Sequence, residues 1–298
     1  MKQRIISDEF IEHLESIAFN MKGAMKGYFG GNHRTNTYGS TVEFADFREY
    51  VLGDDIRRID WNLYSRFEKH FIKLFVDERQ MHIQFYIDCS KSMDFENSKK
   101  KETALKVAAA LGYLSIHNMD KISFKLINGD NIIDNGVING KDAYYRSLDF
   151  LECAKFEGEA NIEKAIKKDL NPGNNDGLTV IISDLLTDDN YKAAVDYLLY
   201  KKRVVMLVQV LSVDEITPSY NGRVVLMDSE SIDALDEKNM KININKSEFN
   251  AYKEALRDYL KSIKDFCSSR DVDYILLTTD KDIERALLEK LYGTGVIK

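Results

Sequence analysis

From about residue 80 onward, short apolar runs alternate with longer amphipathic stretches, and few folds accommodate such an alternation. Runs of nearly continuous apolar residues are typical of strands buried on both faces, whereas apolar residues that recur every three or four positions are typical of helices. The order therefore predicts an α/β fold with a doubly wound, mostly parallel sheet of Rossmann-like type. The predicted strands are HIQFYID, KISFKLI, NIIDNGVI, LTVIIS, RVVMLVQVL and VDYILLT.

Helices are predicted between these strands. In the first of them the apolar residues, such as Ala104, Val107, Ala108 and Leu111, fall on one face. The segment NGRVVLMDSES, near residues 220–232, instead predicts a hairpin inserted before a long helix. The predicted helices span residues 99–117, 144–151, 161–168, 191–200, 247–267 and 282–291.

The first 79 residues have a different character. Ser7 or Asp8 can cap an N-terminal helix, which Gly30 and the residues after it would end. The chain is then irregular, aromatic and charged up to Arg79, with a strand predicted near IKLFV. The predicted domains are residues 1–79, an N-terminal helix with an irregular α+β segment, and residues 80–298, the α/β domain with its hairpin insertion.

Composition limits the possible partners and the cellular setting. The formal net charge of −7 opposes general binding to nucleic acid or anionic membranes, because both recruit an excess of Lys and Arg. No apolar run approaches the roughly 20 residues that cross a bilayer, and charges interrupt the stretch where a signal peptide would need apolar residues. The three widely spaced cysteines fit reduced thiols. We therefore predict a cytoplasmic protein with no membrane span and no nucleic-acid partner.

Oxygen-bearing side chains follow two of the predicted core strands. Asp88, Ser90 and Ser92 form a D-x-S-x-S loop after the first strand, and Asp184 follows the strand LTVIIS. A doubly wound sheet places its ligand site at the carboxyl ends of such strands, and these hard donors suit Mg²⁺ or Mn²⁺. The same residue types are also common in turns and helix caps that bind no ion.

The D-x-S-x-S loop and the distant aspartate resemble the metal-ion-dependent adhesion site of von Willebrand A domains. The resemblance implies that Asp88, Ser90, Ser92 and Asp184 hold Mg²⁺ or Mn²⁺, and that an acidic residue of a partner protein completes the coordination. The family also uses a threonine, in a segment that reads like G-G-T-N-I. This chain has Gly-Glu-Ala-Asn-Ile, so Ala160 stands at the threonine position and Asn161 or Glu159 would have to substitute.

A second resemblance lies upstream, in EFADFREYVLGDDIRRIDWNLYSRF and the residues after it. This segment resembles the signature of the bacterial family called domain of unknown function 58, and the likeness extends from about residue 35 to the C-terminus. The family is often linked to MoxR-type AAA+ ATPases, so the resemblance implies an adaptor role beside such an ATPase. The matching residues include Glu43, Phe44, Arg48, Tyr50, Gly53, Asp54, Arg57, Ile59, Asp60, Trp61, Ser65, Arg66 and the late glutamate Glu78.

The signature has a structural and a functional interpretation. Gly53 and Asp54 suit a turn, and Arg48, Arg57 and Arg66 can pair with the nearby carboxylates. Trp61 can anchor the segment on a core. In the alternative interpretation, the same residues form a partner or phosphate surface.

Two function classes follow from these residues. The first is a non-enzymatic protein-binding module, with metal-assisted docking around Asp88, Ser90, Ser92 and Asp184. The alternative is a Mg²⁺- or Mn²⁺-dependent phosphoesterase in which Asp88 and Asp184 hold the metal. The sequence favours the first, because the D-x-D of aspartyl-phosphate phosphatases is missing and no histidine lies near either motif.

Overall fold

The computed structural model describes residues 5–21, 42–77, 80–95, 98–173, 177–186, 191–218, 222–226, 240–244, 246–280 and 285–286. The chain forms two compact units. The small unit is Gly30–Gln80, and the large unit combines Met1–Phe29 with Met81–Lys298.

A six-stranded sheet forms the centre of the large unit, in the order β10-β7-β6-β3-β4-β5. All neighbouring strands are parallel except β5, which pairs antiparallel with β4. The chain moves outward from β3 to β4 on one side and returns to β6 on the other, so the strand order reverses between β3 and β6. The strands are β3 (His82–Asp88), β4 (Lys121–Asn128), β5 (Asn131–Asp134), β6 (Leu178–Ser183), β7 (Val204–Leu211) and β10 (Asp273–Thr278).

Helices cover both faces of this sheet. Successive residues of a strand point to opposite faces, so Phe85 belongs to one hydrophobic core and Tyr86 to the other. The predicted α/β fold with a doubly wound, mostly parallel sheet is therefore confirmed. The large unit's helices are α1 (Asp8–Met21), α3 (Lys100–His117), α4 (Lys141–Glu152), α5 (Ile162–Lys168), α6 (Tyr191–Tyr200), α7 (Val213–Ile216) and α8 (Lys246–Ser268).

The predicted boundary at residue 79 places the N-terminal helix in one domain with the signature segment. In the structure this helix belongs to the large unit instead. Phe10 and Leu14 of α1 are buried in the same core cluster as α3, and the hydroxyl of Tyr113 donates to Glu15 at 2.6 Å. Burial of these apolar side chains places α1 in the large unit.

The C-terminal half differs from the prediction at the hairpin. The hairpin is wider than residues 220–232, because β8 (Gly222–Leu226) pairs antiparallel with β9 (Met240–Ile244). The predicted last helix, 282–291, lies outside the described residues except for 285–286, which are helical.

The small unit is built on an antiparallel pair of strands. β1 (Val42–Glu49) pairs with the predicted strand, β2 (Phe71–Asp77), and α2 (Trp61–Phe67) lies between them in sequence. The charged residues of VEFADFRE conceal β1 from a search for apolar runs. In the described parts of both units, no helix has the length and apolar character that a membrane crossing requires.

Asp120 gives the fold a pH dependence. Burial raises the pKa of this carboxyl to about 6, against the opposing effect of the Met81 backbone N–H, which donates to it at 2.9 Å. A carboxyl whose folded pKa exceeds its unfolded value binds more protons when folded, so its contribution to stability falls as pH rises from about 4 to about 6. Asp120→Asn keeps an acceptor for Met81 and cannot ionise. We expect it to raise the unfolding free energy at pH 7.5 by about 1–3 kcal/mol.

Urea denaturation at pH 7.5 and pH 4.5 checks this expectation. The advantage of Asp120→Asn should shrink at the lower pH, where the wild-type carboxyl is protonated in the folded state. Exposed Asp94 offers a control, since Asp94→Asn should change stability little at either pH. An Asp120→Asn variant less stable than wild type at pH 7.5 would contradict the assignment.

Candidate functional site

The ends of β3 and β6 bring Asp88 and Asp184 to the same edge of the sheet. These strands are parallel neighbours with Ile87 opposite Ile182, so the two aspartates end adjacent strands at the point where the strand order reverses. Both side chains are fully buried. The convergence expected from the sequence is thus present, at the position where doubly wound sheets bind ligands.

Asp88 is held by hydrogen bonds at both carboxylate oxygens. Its Oδ1 accepts from the Ser90 backbone N–H at 2.9 Å, and its Oδ2 accepts from the Ser183 hydroxyl at 2.6 Å. Burial and the negative charge of Asp184 raise the pKa of Asp88 to about 6, although these hydrogen bonds oppose the rise. Two buried carboxylates therefore lie close enough to repel each other.

The D-x-S-x-S loop packs against the segment that contains Ala160. The Ser90 and Ser92 hydroxyls are 3.0 Å apart and share a hydrogen bond. Backbone bonds join the loop to the neighbouring segment, from Lys91 N–H to the Gly158 carbonyl at 2.8 Å and from Glu157 N–H to the Cys89 carbonyl at 3.0 Å. Asp88, Ser90 and Ser92 therefore occupy a loop of the predicted kind, with residues 157–161 beside it.

Of the two residues that would replace the missing threonine, Asn161 is engaged in another contact. Ala160 is buried and brings no side-chain oxygen. The Asn161 side chain caps α5 by accepting from the Lys164 backbone N–H at 2.9 Å, and Glu159 is exposed to solvent.

Lys100, which the sequence analysis did not single out, contacts Asp184 directly. Its ammonium group lies 2.8 Å from Oδ2 of Asp184 and 2.6 Å from Oε1 of Glu215, and only 2% of the side chain is exposed. Burial alone would lower the pKa of Lys100, but the charges of Asp184 and Glu215 outweigh burial and raise it. No sequence signal joins these three residues, because they follow three different strands.

The donor set does not fit a divalent ion. Asp184 already binds an ammonium group, the threonine position holds Ala160, and Asn161 is engaged in a helix cap. The Mg²⁺ or Mn²⁺ site implied by the von Willebrand A resemblance stays a prediction that these contacts oppose.

In the small unit, residues of the signature take part in ion pairs. The Arg48 guanidinium binds the Asp54 carboxylate through two nitrogens at 2.8 and 2.7 Å. The bond from Arg48 is the main reason that the pKa of Asp54 lies below its ordinary value. Gly53 adopts φ 109°, a left-handed conformation that favours glycine, and allows the tight turn that brings Asp54 back to Arg48.

Another ion pair supports α2. Asp60 caps this helix by accepting from the backbone N–H groups of Asn62 and Leu63, and Lys73 lies 3.0 Å from its other oxygen. Trp61 is not the core anchor that the sequence suggested, because 62% of it is exposed. It is the first residue of the exposed helix α2, and its ring meets those of Tyr64 and His70 edge-on.

The exposed face of the signature surrounds an open cleft of about 410 Å³. Tyr64 and His70 stack beside Trp61 with ring centroids 4.5 Å apart. Arg66 is also exposed, whereas Glu78 lies outside the described residues. The signature thus contributes both paired charges and an exposed face, and the interpretation of that face as a partner surface stays a prediction. The residues that line the cleft are Tyr50, Ile56, Arg57, Ile59, Trp61 and His70.

Removing the Lys100 charge should destabilise the large unit. In Lys100→Met the buried Asp184 carboxylate loses its counter-charge, so we expect the unfolding free energy to fall by about 3–5 kcal/mol. Adding Asp184→Asn should restore part of that loss, because the uncompensated charge is then gone. Lys101→Met is the matched control: this neighbour pairs with Asp94 at a partly exposed position and should cost at most about 1 kcal/mol. Equal urea midpoints for Lys100→Met and Lys101→Met would contradict the pairing.

Comparison with known proteins places the chain in a family. It is 25% identical over 223 residues to uncharacterized proteins of Mycobacterium tuberculosis and Mycobacterium bovis, across 73% of this chain and 70% of theirs. It is also similar to the crystal structure of the conserved hypothetical protein BatB from Bacteroides thetaiotaomicron, with a TM-score of 0.42, 13% identity and coverage of 72% of this chain and 99% of that one.

A further similar structure is the VWA domain of SpRpn10, with a TM-score of 0.40, 10% identity and coverage of 74% of this chain and 100% of that domain. The model of one protein family matches residues 46–259, most of the signature and of the α/β domain. The chain therefore belongs to the family described as "Protein of unknown function DUF58".

Proposed function

We propose that this chain is a non-enzymatic protein-binding module that docks a partner at the carboxyl edge of its six-stranded sheet. The observation that carries the proposal is the surface around the buried Asp88 and Asp184. Three apolar side chains are exposed there, on the segments that follow β3, β6 and β7. They are Phe95, Leu186 and Val213, with 57%, 43% and 39% of each exposed.

Exposed apolar side chains around buried carboxylates suit the docking of a protein partner better than the turnover of a substrate. Exposed apolar side chains around a rigid polar centre are typical of interaction surfaces. The centre itself is rigid because Asp88, Ser183 and Ser90 are joined by hydrogen bonds and because Lys100 neutralises Asp184. The phosphoesterase alternative needs both carboxylates on one metal, and the contact between Asp184 and Lys100 opposes it.

The partner we propose is a MoxR-type AAA+ ATPase, as the family resemblance implies, with this chain as its adaptor. The cleft beside Arg57 and Trp61 in the small unit supports a second contact with the same partner, because aromatic and arginine side chains are favoured at interfaces. The exposed Arg66 is the other signature cation available to such a contact.

Phe95→Ser combined with Leu186→Ser should weaken capture of a purified MoxR-type ATPase from the same organism. We expect Kd to rise at least about 10-fold, since two apolar contacts would be lost from the interface. Biolayer interferometry with the immobilised chain would measure this change.

The matched control changes exposed apolar residues at the opposite end of the strands, where the chain enters the sheet. Leu170 and Tyr200 precede β6 and β7, and 94% and 81% of each is exposed. Leu170→Ser with Tyr200→Ser should leave Kd within about 2-fold of wild type. The docking proposal fails if both pairs of substitutions weaken capture equally or if the wild type shows no capture.

A further inference from the structure

A cation that belongs to the chain already contacts the aspartate that the von Willebrand A resemblance assigns to a metal ion. The Lys100 ammonium group is 2.8 Å from Asp184 and is almost completely buried. Lys100 is the first residue of α3, which follows β3, whereas Asp184 follows the adjacent strand β6. The pairing of β3 with β6 therefore brings the start of α3 to the end of the sheet where Asp184 lies.

We propose that the Lys100 ammonium group is a tethered cation that takes the place of the divalent ion at this edge. Its charge neutralises Asp184 permanently and excludes Mg²⁺ and Mn²⁺. The carboxyl edge then needs no metal to keep its shape. Only the consequence for docking, that a partner is captured without a metal, rests on the proposed function.

The second partner of Lys100 shows that its position is built into the fold. Glu215 lies in α7, after β7, and its Oε1 accepts from Lys100 at 2.6 Å. Its other oxygen accepts from the Ser212 backbone N–H at 2.7 Å, while the Ser212 hydroxyl accepts from the Glu215 N–H at 3.3 Å. This capping box orients the Glu215 carboxylate independently of its contact with the Lys100 ammonium group.

Asp184 is oriented in the same way. Its Oδ1 accepts from the Leu186 backbone N–H at 3.1 Å, and its carbonyl accepts from the Gln209 side chain at 2.7 Å. Leu185 between them adopts φ 56°, a left-handed conformation that is uncommon for a leucine. Oδ2 is thereby directed to Lys100.

The missing threonine hydroxyl is an independent observation that supports replacement of the divalent ion by the Lys100 ammonium group. Ala160 is buried beside the D-x-S-x-S loop, with its backbone bridged to Gly129. A divalent ion would lose one oxygen ligand here and meet a positive charge at another. An ammonium group, by contrast, needs only a few acceptors, and Asp184 and Glu215 supply two.

Mn²⁺ binding to the full-length chain tests the proposal. Free Mn²⁺ would be measured by electron paramagnetic resonance during a titration, and Tm would be compared in Mn²⁺ and in EDTA. We expect no saturable site in the wild type and the same Tm in both solutions. A stoichiometric Mn²⁺ site that Asp88→Ala removes would overturn the proposal without any further variant.

A gain-of-binding variant tests the role of Lys100 itself. Lys100→Met with Ala160→Thr removes the tethered charge and restores the hydroxyl, so Mn²⁺ should now bind one site and raise Tm by about 2 °C or more. Lys101→Met with Ala160→Thr makes the same charge change one residue away and should bind none. If the first variant folds and binds no Mn²⁺, Lys100 does not exclude the ion and the proposal is wrong.

A charge-balanced variant covers the case in which Lys100→Met prevents folding. Lys100→Gln, Glu215→Gln and Ala160→Thr together remove one positive and one negative charge, and this variant should also gain the Mn²⁺ site. Failure of this folded variant to bind overturns the proposal equally. Because none of these readouts uses a partner protein, loss of the proposed docking function would leave their outcome unchanged.

Discussion

The pairing of the buried Lys100 ammonium group with two carboxylates determines how the carboxyl edge of the sheet is organised. A charge removed from water is tolerated only when opposite charges and hydrogen bonds replace the lost solvation. Asp184 and Glu215 meet that requirement from the ends of β6 and β7, and Lys100 comes from the helix after β3. One side chain therefore links the segments that follow three adjacent strands.

The two units use their charges in similar ways. In the large unit, paired carboxylates set the geometry of the edge, and apolar side chains such as Phe95 remain exposed around it. In the small unit, Asp54 and Asp60 are paired with Arg48 and Lys73, and Trp61 is left facing solvent. In both units these carboxylates are paired with cations of the chain, whereas the aromatic side chains of Phe95 and Trp61 are exposed.

Sequence patterns predicted the strands of the six-stranded sheet, most clearly where the strand is buried along its whole length. The strand LTVIIS is buried at every position, and its continuous apolar character marks it without ambiguity. The strand VEFADFRE was missed because it carries charges. The second hairpin strand was missed because the connection between residues 226 and 240 is far longer than an ordinary hairpin loop. Convergence of Asp88 and Asp184 followed from topology alone, since strand ends that are adjacent in a parallel sheet share an edge.

The contact between Lys100 and Asp184 could not be predicted in this way. It joins residues 84 positions apart, and its chemistry depends on side-chain direction and on burial. Trp61 shows the same limit, because its residue type favours burial while the short helix that begins with it lies open to solvent.

The antiparallel strand β5 has a consequence for self-association. A parallel sheet that ended at β4 would present a long row of unpaired amide and carbonyl groups. A strand of another chain could pair with these groups and extend the sheet. β5 covers the second half of that row with only four residues, and Asp134 at its end lies opposite Lys125, with the carboxylate and ammonium groups 3.5 Å apart. Because β5 is a short edge strand that ends in a charged residue, it is a poor template for a further strand. It therefore opposes association of two molecules through this edge of the sheet.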